Sequence, residues 1–257
     1  VKQVIAPVIS NSEVMPGTHL VWLECPLIAA TARPGQFVMV RCGEDTLLRR
    51  PLSIHQLDGS RIALLVAAVG KGTNWLSSRQ SGDSIDIFGP LGNGYTIYPA
   101  SRNLLLVAGG IGIAPLYSLA SSAGKEGYSI RVLMGARTAT QLYPKQYSPV
   151  TATFILTTED GTEGEKGIIT DIIPRHTDWA DQIFACGPLG MYRTMAQMPE
   201  LKAKPAQISL EVRMGCGLGV CYGCTVKTKR GLKQVCRDGP VFDLEDILWS
   251  ELVGVST

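Results

Sequence analysis

Residues 103–116 read NLLLVAGGIGIAPL: an apolar run, Leu104 to Ala108, then glycines at 109, 110 and 112 and a proline at 115. A short, uninterrupted apolar run predicts a strand buried on both faces, and the glycines predict a tight turn into a helix. Pro115 suits the first helical turn, where its missing N–H has no intrahelical partner. Such a turn presents free amides at a helix N-terminus, a donor set suited to phosphate. It departs from the GxGxxG fingerprint, since proline replaces the third glycine. A tight turn that binds nothing is the plain alternative.

The same pattern recurs downstream. SIRVLMGA (129–136), TFILTT (153–158) and QIFACG (182–187), the last before MYRTMAQM, alternate with helical stretches between about residues 103 and 203. Strands alternating with helices predict parallel βαβ units. In ACGPLGM, Cys186, Gly187 and Pro188 fall at the carboxyl end of a strand, the edge where open α/β sheets bind ligands. A buried cysteine acting as a small hydrophobe is the bland reading.

Residues 1–100 differ. HLVWLEC, QFVMVRC, LSIHQL, RIALLVAAV and SIDIFG are short runs rich in β-branched and aromatic residues, separated by RPGQ, LDGS and SGDS. That spacing predicts a closed antiparallel barrel. GTNWLSSRQ reads as a short helix opening at Thr73. In RRPLSIH, Arg50 offers a forked cation suited to a diphosphate and Ser53 a hydroxyl; an exposed edge-strand arginine is the alternative. From about residue 205 one β run, AQISLEV, precedes a cysteine-rich segment. The expected division is 1–100, 101–204 and 205–257, within the 257 residues available.

Composition excludes some classes of partner. With 45% hydrophobic residues, 18% charged residues and a net charge of +2, nothing recommends nucleic acid or a membrane surface. The apolar runs fall far short of the ~20 residues of a membrane span, and VKQVIAPVIS lacks the apolar core of a signal peptide. A cytoplasmic location with reduced thiols is expected.

Three cysteines are scattered, whereas Cys216, Cys221, Cys224 and Cys236 form C-x4-C-x2-C-x11-C within MGCGLGVCYGC and KQVCRDGPVF. The first three follow plant-type 2Fe-2S spacing, and the glycines among them let backbone turn tightly around inorganic sulfide. A four-cysteine zinc site, which would make this a stapled binding module, remains the competitor. His19, His55 and His176 are not grouped with carboxylates, and His55 reads as a packing or hydrogen-bonding residue. No catalytic acid or base is assigned.

The succession RRPLS, GKGT, GGIGIAPL and CGP resembles the ferredoxin-NADP reductase superfamily. With MGCGLGVCYGC and CRDGPVF added, the chain resembles electron-transfer subunits of B-type dihydroorotate dehydrogenases over nearly its whole length. The resemblance implies an FAD-binding barrel, an NAD-binding α/β domain and a 2Fe-2S domain. Arg50 would hold the FAD diphosphate, with Pro51, Leu52 and Ser53 along the flavin. Gly72 and Thr73 would receive the diphosphate at a helix start, and Leu65, Val66 and Ala67 would flank the flavin, although relatives often carry a polar residue near Ala67. Gly109, Gly110, Gly112 and Pro115 match the dinucleotide turn, Cys186, Gly187 and Pro188 the nicotinamide segment, and Arg137 a segment touching the adenosine half. Cys216, Cys221, Cys224 and Cys236 match the cluster ligands. The implied partner is an FMN-containing catalytic subunit in a heterotetramer, with electrons passing by way of the cluster and FAD to NAD in pyrimidine biosynthesis. The enzymatic alternative is an NAD(P)H-dependent reductase for an oxygenase, a sulfide dehydrogenase or a bifurcating transhydrogenase.

Overall fold

The computed structural model describes residues 1–149 and 151–252. Six antiparallel strands close the expected barrel: β1 (Lys2–Met15), β2 (Thr18–Glu24), β3 (Phe37–Val40), β4 (Arg50–Asp58), β5 (Arg61–Ala67) and β6 (Ser84–Leu91), in spatial order β1-β2-β5-β4-β3-β6. The long β1 is a strand that the sequence patterning did not single out. Its apolar run Val4–Ile9 does not alternate with polar residues, but burial does, because only one face looks inward: Ala6 and Val8 are buried while Ile5 and Ile9 are exposed. Barrel closure removes the edges that would otherwise invite pairing with another chain. Helices α1 (Pro26–Ala29) and α2 (Lys71–Ser77) cap the ends. Thr73 is the third residue of α2, not its first; its hydroxyl accepts the amides of Val69 and Gly70 at 3.0 and 3.1 Å and so fixes the turn that leads in.

The second unit is a seven-stranded sheet in the order β10-β9-β8-β7-β11-β12-β15. Its members are β7 (Asn103–Gly109), β8 (Ser129–Ala136), β9 (Ala152–Thr158), β10 (Glu165–Lys166), β11 (Gln182–Cys186), β12 (Ala206–Ser209) and β15 (Val241–Asp243). All pairs are parallel except β12 with β15. Helices α3 (Ile113–Lys125), α4 (Ile169–Ile172), α5 (Pro174–Thr177) and α6 (Leu189–Gln197) cover the sheet. Leu104 to Ala108 are each fully buried, as a strand sandwiched between helical layers requires.

The cysteine segment holds a hairpin, β13 (Thr225–Thr228) and β14 (Gly231–Gln234), then α7 (Val235–Asp238). It leaves the α/β sheet after β12 and returns as β15, so both of its ends are hydrogen-bonded into that sheet.

Three apolar clusters hold these parts together. One fills the barrel; one joins the outer face of β2 and β5, through Leu20, Ala63 and Leu65, to α3 and one face of the sheet. The third joins Phe37, Met39 and Leu91 of the barrel to the other sheet face and to Cys224, Val235 and Cys236.

Candidate functional site

Strand β4 organises the first part of the site. Arg50 to Ser53 are half-buried, forming an open strip, whereas Ile54 turns into the barrel core and His55 is buried against α3. The Arg50 side chain lies across the start of α2: a Cβ added to Gly72 would stand 3.0 Å from its Nε and 3.2 Å from Cys42 Cβ. Only glycine allows the guanidinium to converge with the first amides of a helix, which lack intrahelical acceptors. A forked cation beside free amides is a donor set for a diphosphate, so the residues fit FAD. Leu65 is packed against the α/β unit and Val66 inside the barrel, so of that stretch only Ala67 is partly open.

His55 couples this strip to the dinucleotide turn. Its Nδ1 lies 3.0 Å from the Ala114 carbonyl and its Nε2 2.9 Å from the Tyr143 hydroxyl. A carbonyl only accepts, so Nδ1 carries the proton and Nε2 accepts from Tyr143. Complete burial, opposed by the Ala114 carbonyl, lowers the His55 pKa to about 4. Tyr117 packs on the same ring, with centroids 4.6 Å apart.

The glycines of the β7–α3 turn have separate tasks. Gly110 adopts φ +55, while Gly112 has an ordinary helical conformation. A Cβ on Gly112 would collide with the Cys186 carbonyl, and one on Gly109 would stand 2.7 Å from Pro188 Cδ. The expected nucleotide turn and the expected nicotinamide segment are therefore interlocked, with Cys186 paired beside Ala108. Tyr192 holds the second loop: its hydroxyl accepts the Gly187 amide at 2.9 Å and donates to the Ser209 carbonyl at 2.7 Å. Beside these turns is a cavity of about 310 Å³, lined by Gly109, Gly110, Arg137, Glu159, Thr170 and Pro188 among others. Glu159 and Thr170 were not legible as site residues, because only the sheet register and the docking of α4 bring them here. Gly112, Pro115, Cys186 and Gly187 do not line the cavity; Gly112 packs against the Cys186–Gly187 backbone instead.

The four cysteines converge as two pairs. Cys216 interacts with Cys221, and Cys236 with Cys224 and more weakly with Cys216. Among the described residues no three His, Cys, Asp or Glu side chains are disposed around one metal ion. A dinuclear cluster takes two thiolates on each iron, so paired sulfurs match it more closely than a single tetrahedral ion. Amides point at the sulfurs: Leu218 N to Cys216 at 3.3 Å, Gly219 N to Cys236 at 3.2 Å and Cys236 N to Cys224 at 3.5 Å. At Cys216, burial raises the pKa but is outweighed by the amides of Leu218, Cys221 and Val220, which bring the thiol down to about 6. At Cys236, burial and the neighbouring Cys224 push the thiol up to about 12 against the Gly219 amide. Metal binding requires thiolates, and amide donors stabilise them. The residues fit a 2Fe-2S cluster.

The cysteine loop is pressed onto the barrel. Gly217, at φ +72, lies against Met39, where a Cβ would stand 2.6 Å from Met39 Cγ. Met39 is paired directly with Pro51 across β3 and β4, so the loop rests on the strand next to the Arg50 strip. The segment after Cys236 is bound to the end of β6: Asn93 N donates to the Gly239 carbonyl and Asn93 Nδ2 to the Asp238 carbonyl. Around the loop Leu218, Val220, Cys221 and Tyr222 are exposed, Val220 to 71% and Tyr222 to 70%.

A barrel with a corner suited to a diphosphate, an α/β unit with a cavity beside its glycine turn and a four-cysteine loop point to an electron-transferring oxidoreductase of the ferredoxin reductase type. Residues 106–197 match the oxidoreductase NAD-binding domain, and residues 211–248 match the iron-sulfur cluster binding domain of dihydroorotate dehydrogenase B. The dihydroorotate dehydrogenase B (NAD(+)) electron transfer subunit of Desulforamulus reducens is 38% identical over 255 residues, spanning 95% of this chain and 97% of that one. That of Bacillus caldolyticus is 37% identical over 241 residues, spanning 90% and 93%. The chain belongs to the family of dihydroorotate dehydrogenase B electron transfer subunits. A solved NADH-dependent reduced ferredoxin-NADP oxidoreductase, studied for flavin-based electron bifurcation, superposes with a TM-score of 0.88 at 32% identity, covering 97% of this chain and 92% of that one. The ferredoxin reductase of carbazole 1,9a-dioxygenase, at 18% identity and a TM-score of 0.69, shares the fold.

Proposed function

We propose that this chain carries electrons from a separate FMN-containing dihydroorotate dehydrogenase catalytic subunit to NAD, through a 2Fe-2S cluster and FAD, in pyrimidine biosynthesis. The observation that carries the reading is the adjacency of the three sites: Gly217 of the cysteine loop rests on Met39 of β3, Met39 pairs with Pro51 of the Arg50 strip on β4, and His55 of β4 is bonded to the start of α3 beside the glycine turns. FAD exchanges hydride with a nicotinamide and single electrons with an iron-sulfur centre, which is the conversion this pathway needs. Arg50 and the α2 amides orient the flavin diphosphate, and Ser53 and Leu52 line its ring. Gly109, Gly110 and the Cys186-Gly187-Pro188 loop, held by Tyr192, set where the nicotinamide rests. Cys216, Cys221, Cys224 and Cys236 hold the cluster, and their amide donors tune its potential. The exposed Leu218, Val220 and Tyr222 surround the cluster loop where a catalytic subunit would dock in a heterotetramer. We extend the division 1–100, 101–204 and 205–257 to function, as flavin, nicotinamide and cluster domains.

The test is reconstitution with an FMN-containing dihydroorotate dehydrogenase subunit. Dihydroorotate should reduce NAD only when both chains are present. Cys221→Ser should lose this coupled reaction by at least ~100-fold while NADH oxidation by an artificial hydride acceptor stays within about threefold. Equal loss of both activities would make the cysteine segment a folding element. A second reading, supported by the 32% identity to the bifurcating oxidoreductase, is a reductase serving another acceptor. Ferredoxin-linked turnover without any dihydroorotate-linked turnover would select it.

A further inference from the structure

Strands β8 and β9 run in parallel with Ala136 beside Thr158. The ladder continues past both ends, the Glu159 amide donating to the Ala136 carbonyl at 3.1 Å and the Asp160 amide to the Arg137 carbonyl at 3.2 Å. One step beyond the last pair, Arg137 therefore stands beside Glu159, and laterally paired residues share a face. Both line the 310 Å³ cavity whose other wall is the Gly109-Gly110 turn. Among the described residues neither enters an ion pair.

A second, independent feature marks the cavity as a polar ligand's site. Thr170 is 5% exposed and its Oγ1 has no hydrogen-bond partner among the described residues, yet the residue lines this same cavity. A buried hydroxyl left unpaired is costly, and such groups are satisfied in native structures by protein, water or ligand.

We propose that Glu159 accepts a hydrogen bond from the adenosine ribose 2′-hydroxyl and selects NAD over NADP, with the Thr170 hydroxyl pairing to the same ligand. The inference rests on the reading that this cavity takes a nicotinamide dinucleotide. An acidic side chain at a strand end suits a ribose diol, whereas a 2′-phosphate needs uncompensated positive charge. Arg137 alone would supply that charge. Glu159 on the same face cancels it, and a phosphate dianion brought beside the carboxylate meets direct repulsion.

The test uses flavin-loaded protein, with NADH and NADPH oxidation by an artificial acceptor and calorimetric binding of NAD+ and NADP+. Glu159→Gln keeps the shape and removes the charge. It should lower kcat/KM for NADH about 10-fold and raise that for NADPH about 10-fold, since hydrogen bonds to charged groups are worth roughly that factor. An NAD+ analogue carrying 2′-deoxyadenosine should bind wild type and Glu159→Gln within about twofold of each other, because the partner hydroxyl is already gone. Thr170→Val should weaken NAD+ binding roughly fivefold without lowering the unfolding temperature, since its hydroxyl has no partner to lose in the free protein. A change of less than about threefold in the NADH-to-NADPH preference, with NADH still used, overturns the role of Glu159. Failure of wild type to bind either dinucleotide would instead overturn the assignment of the cavity itself.

Discussion

His55 is specified as a neutral imidazole by its two neighbours, a carbonyl that needs Nδ1–H and a tyrosine hydroxyl that gives to Nε2. Its pKa falls from 6.5 to about 4 because burial penalises the cation. A base whose folded pKa is depressed binds protons better in the unfolded chain. Its stabilising effect is full above pH 6.5 and is lost as pH falls from 6.5 toward 4, reaching about 3 kcal/mol below that window. His55→Gln should flatten this acid dependence while lowering stability at pH 7 by about 1–3 kcal/mol, measured by urea unfolding between pH 4 and 8. A retained acid slope would move the titrating group elsewhere. Reading the sequence marked His55 as a packing residue next to the flavin motif, and it is one. What it packs against, Ala114 and Tyr143, lies far along the chain and has no local signature.

At the scale of elements, the glycine-rich turns illustrate a shared device. The sequence assigned Gly109, Gly110 and Gly112 to phosphate, and the cavity does take Gly109 and Gly110 into its wall. Gly112 carries a packing constraint of its own, since any side chain there strikes the end of β11. Gly112→Ala should cost about 1–3 kcal/mol or more through overpacking, read as a lowered midpoint in denaturant unfolding. Gly217→Ala adds a second penalty: a left-handed backbone and a contact with Met39 that must give way. With iron and sulfide reconstituted, this variant should show slower flavin reduction from the cluster side while the cluster's absorption is retained, measured by stopped flow. An unchanged rate would show that the Gly217–Met39 contact does not set the approach of the loop to β4.

In the molecule as a whole, the cysteine segment is not an appendage. Ile208 is fully buried and Leu210 nearly so, both in the cluster that joins barrel, sheet and cysteines, and β15 closes the sheet beyond β12. A chain ending at residue 204 would expose the edge of β11 and an apolar face, so it should aggregate rather than yield a folded flavin and nicotinamide unit. Size-exclusion chromatography and circular dichroism check this; a monomeric truncated chain with cooperative unfolding would contradict it. Among the described residues no helix is long and apolar enough to cross a membrane.

Local chemistry was enough to reveal the barrel strands other than β1, the βαβ alternation and the four-cysteine spacing, and to mark the Arg50 stretch and the glycine turn as candidate binding segments. Each depends on residues close together in the chain: period, turn residues and ligand intervals. Tertiary structure alone decided that β12 and β15 belong to the central sheet, that the thiols fall into two pairs and that Gly217 rests on Met39. It also decided that Glu159 and Thr170 share a cavity with Gly109. Apart from the thiol pairing, which depends on how a local loop turns, these are meetings of residues far apart in the chain, set by strand register and by the packing of one layer on another, for which no local pattern exists.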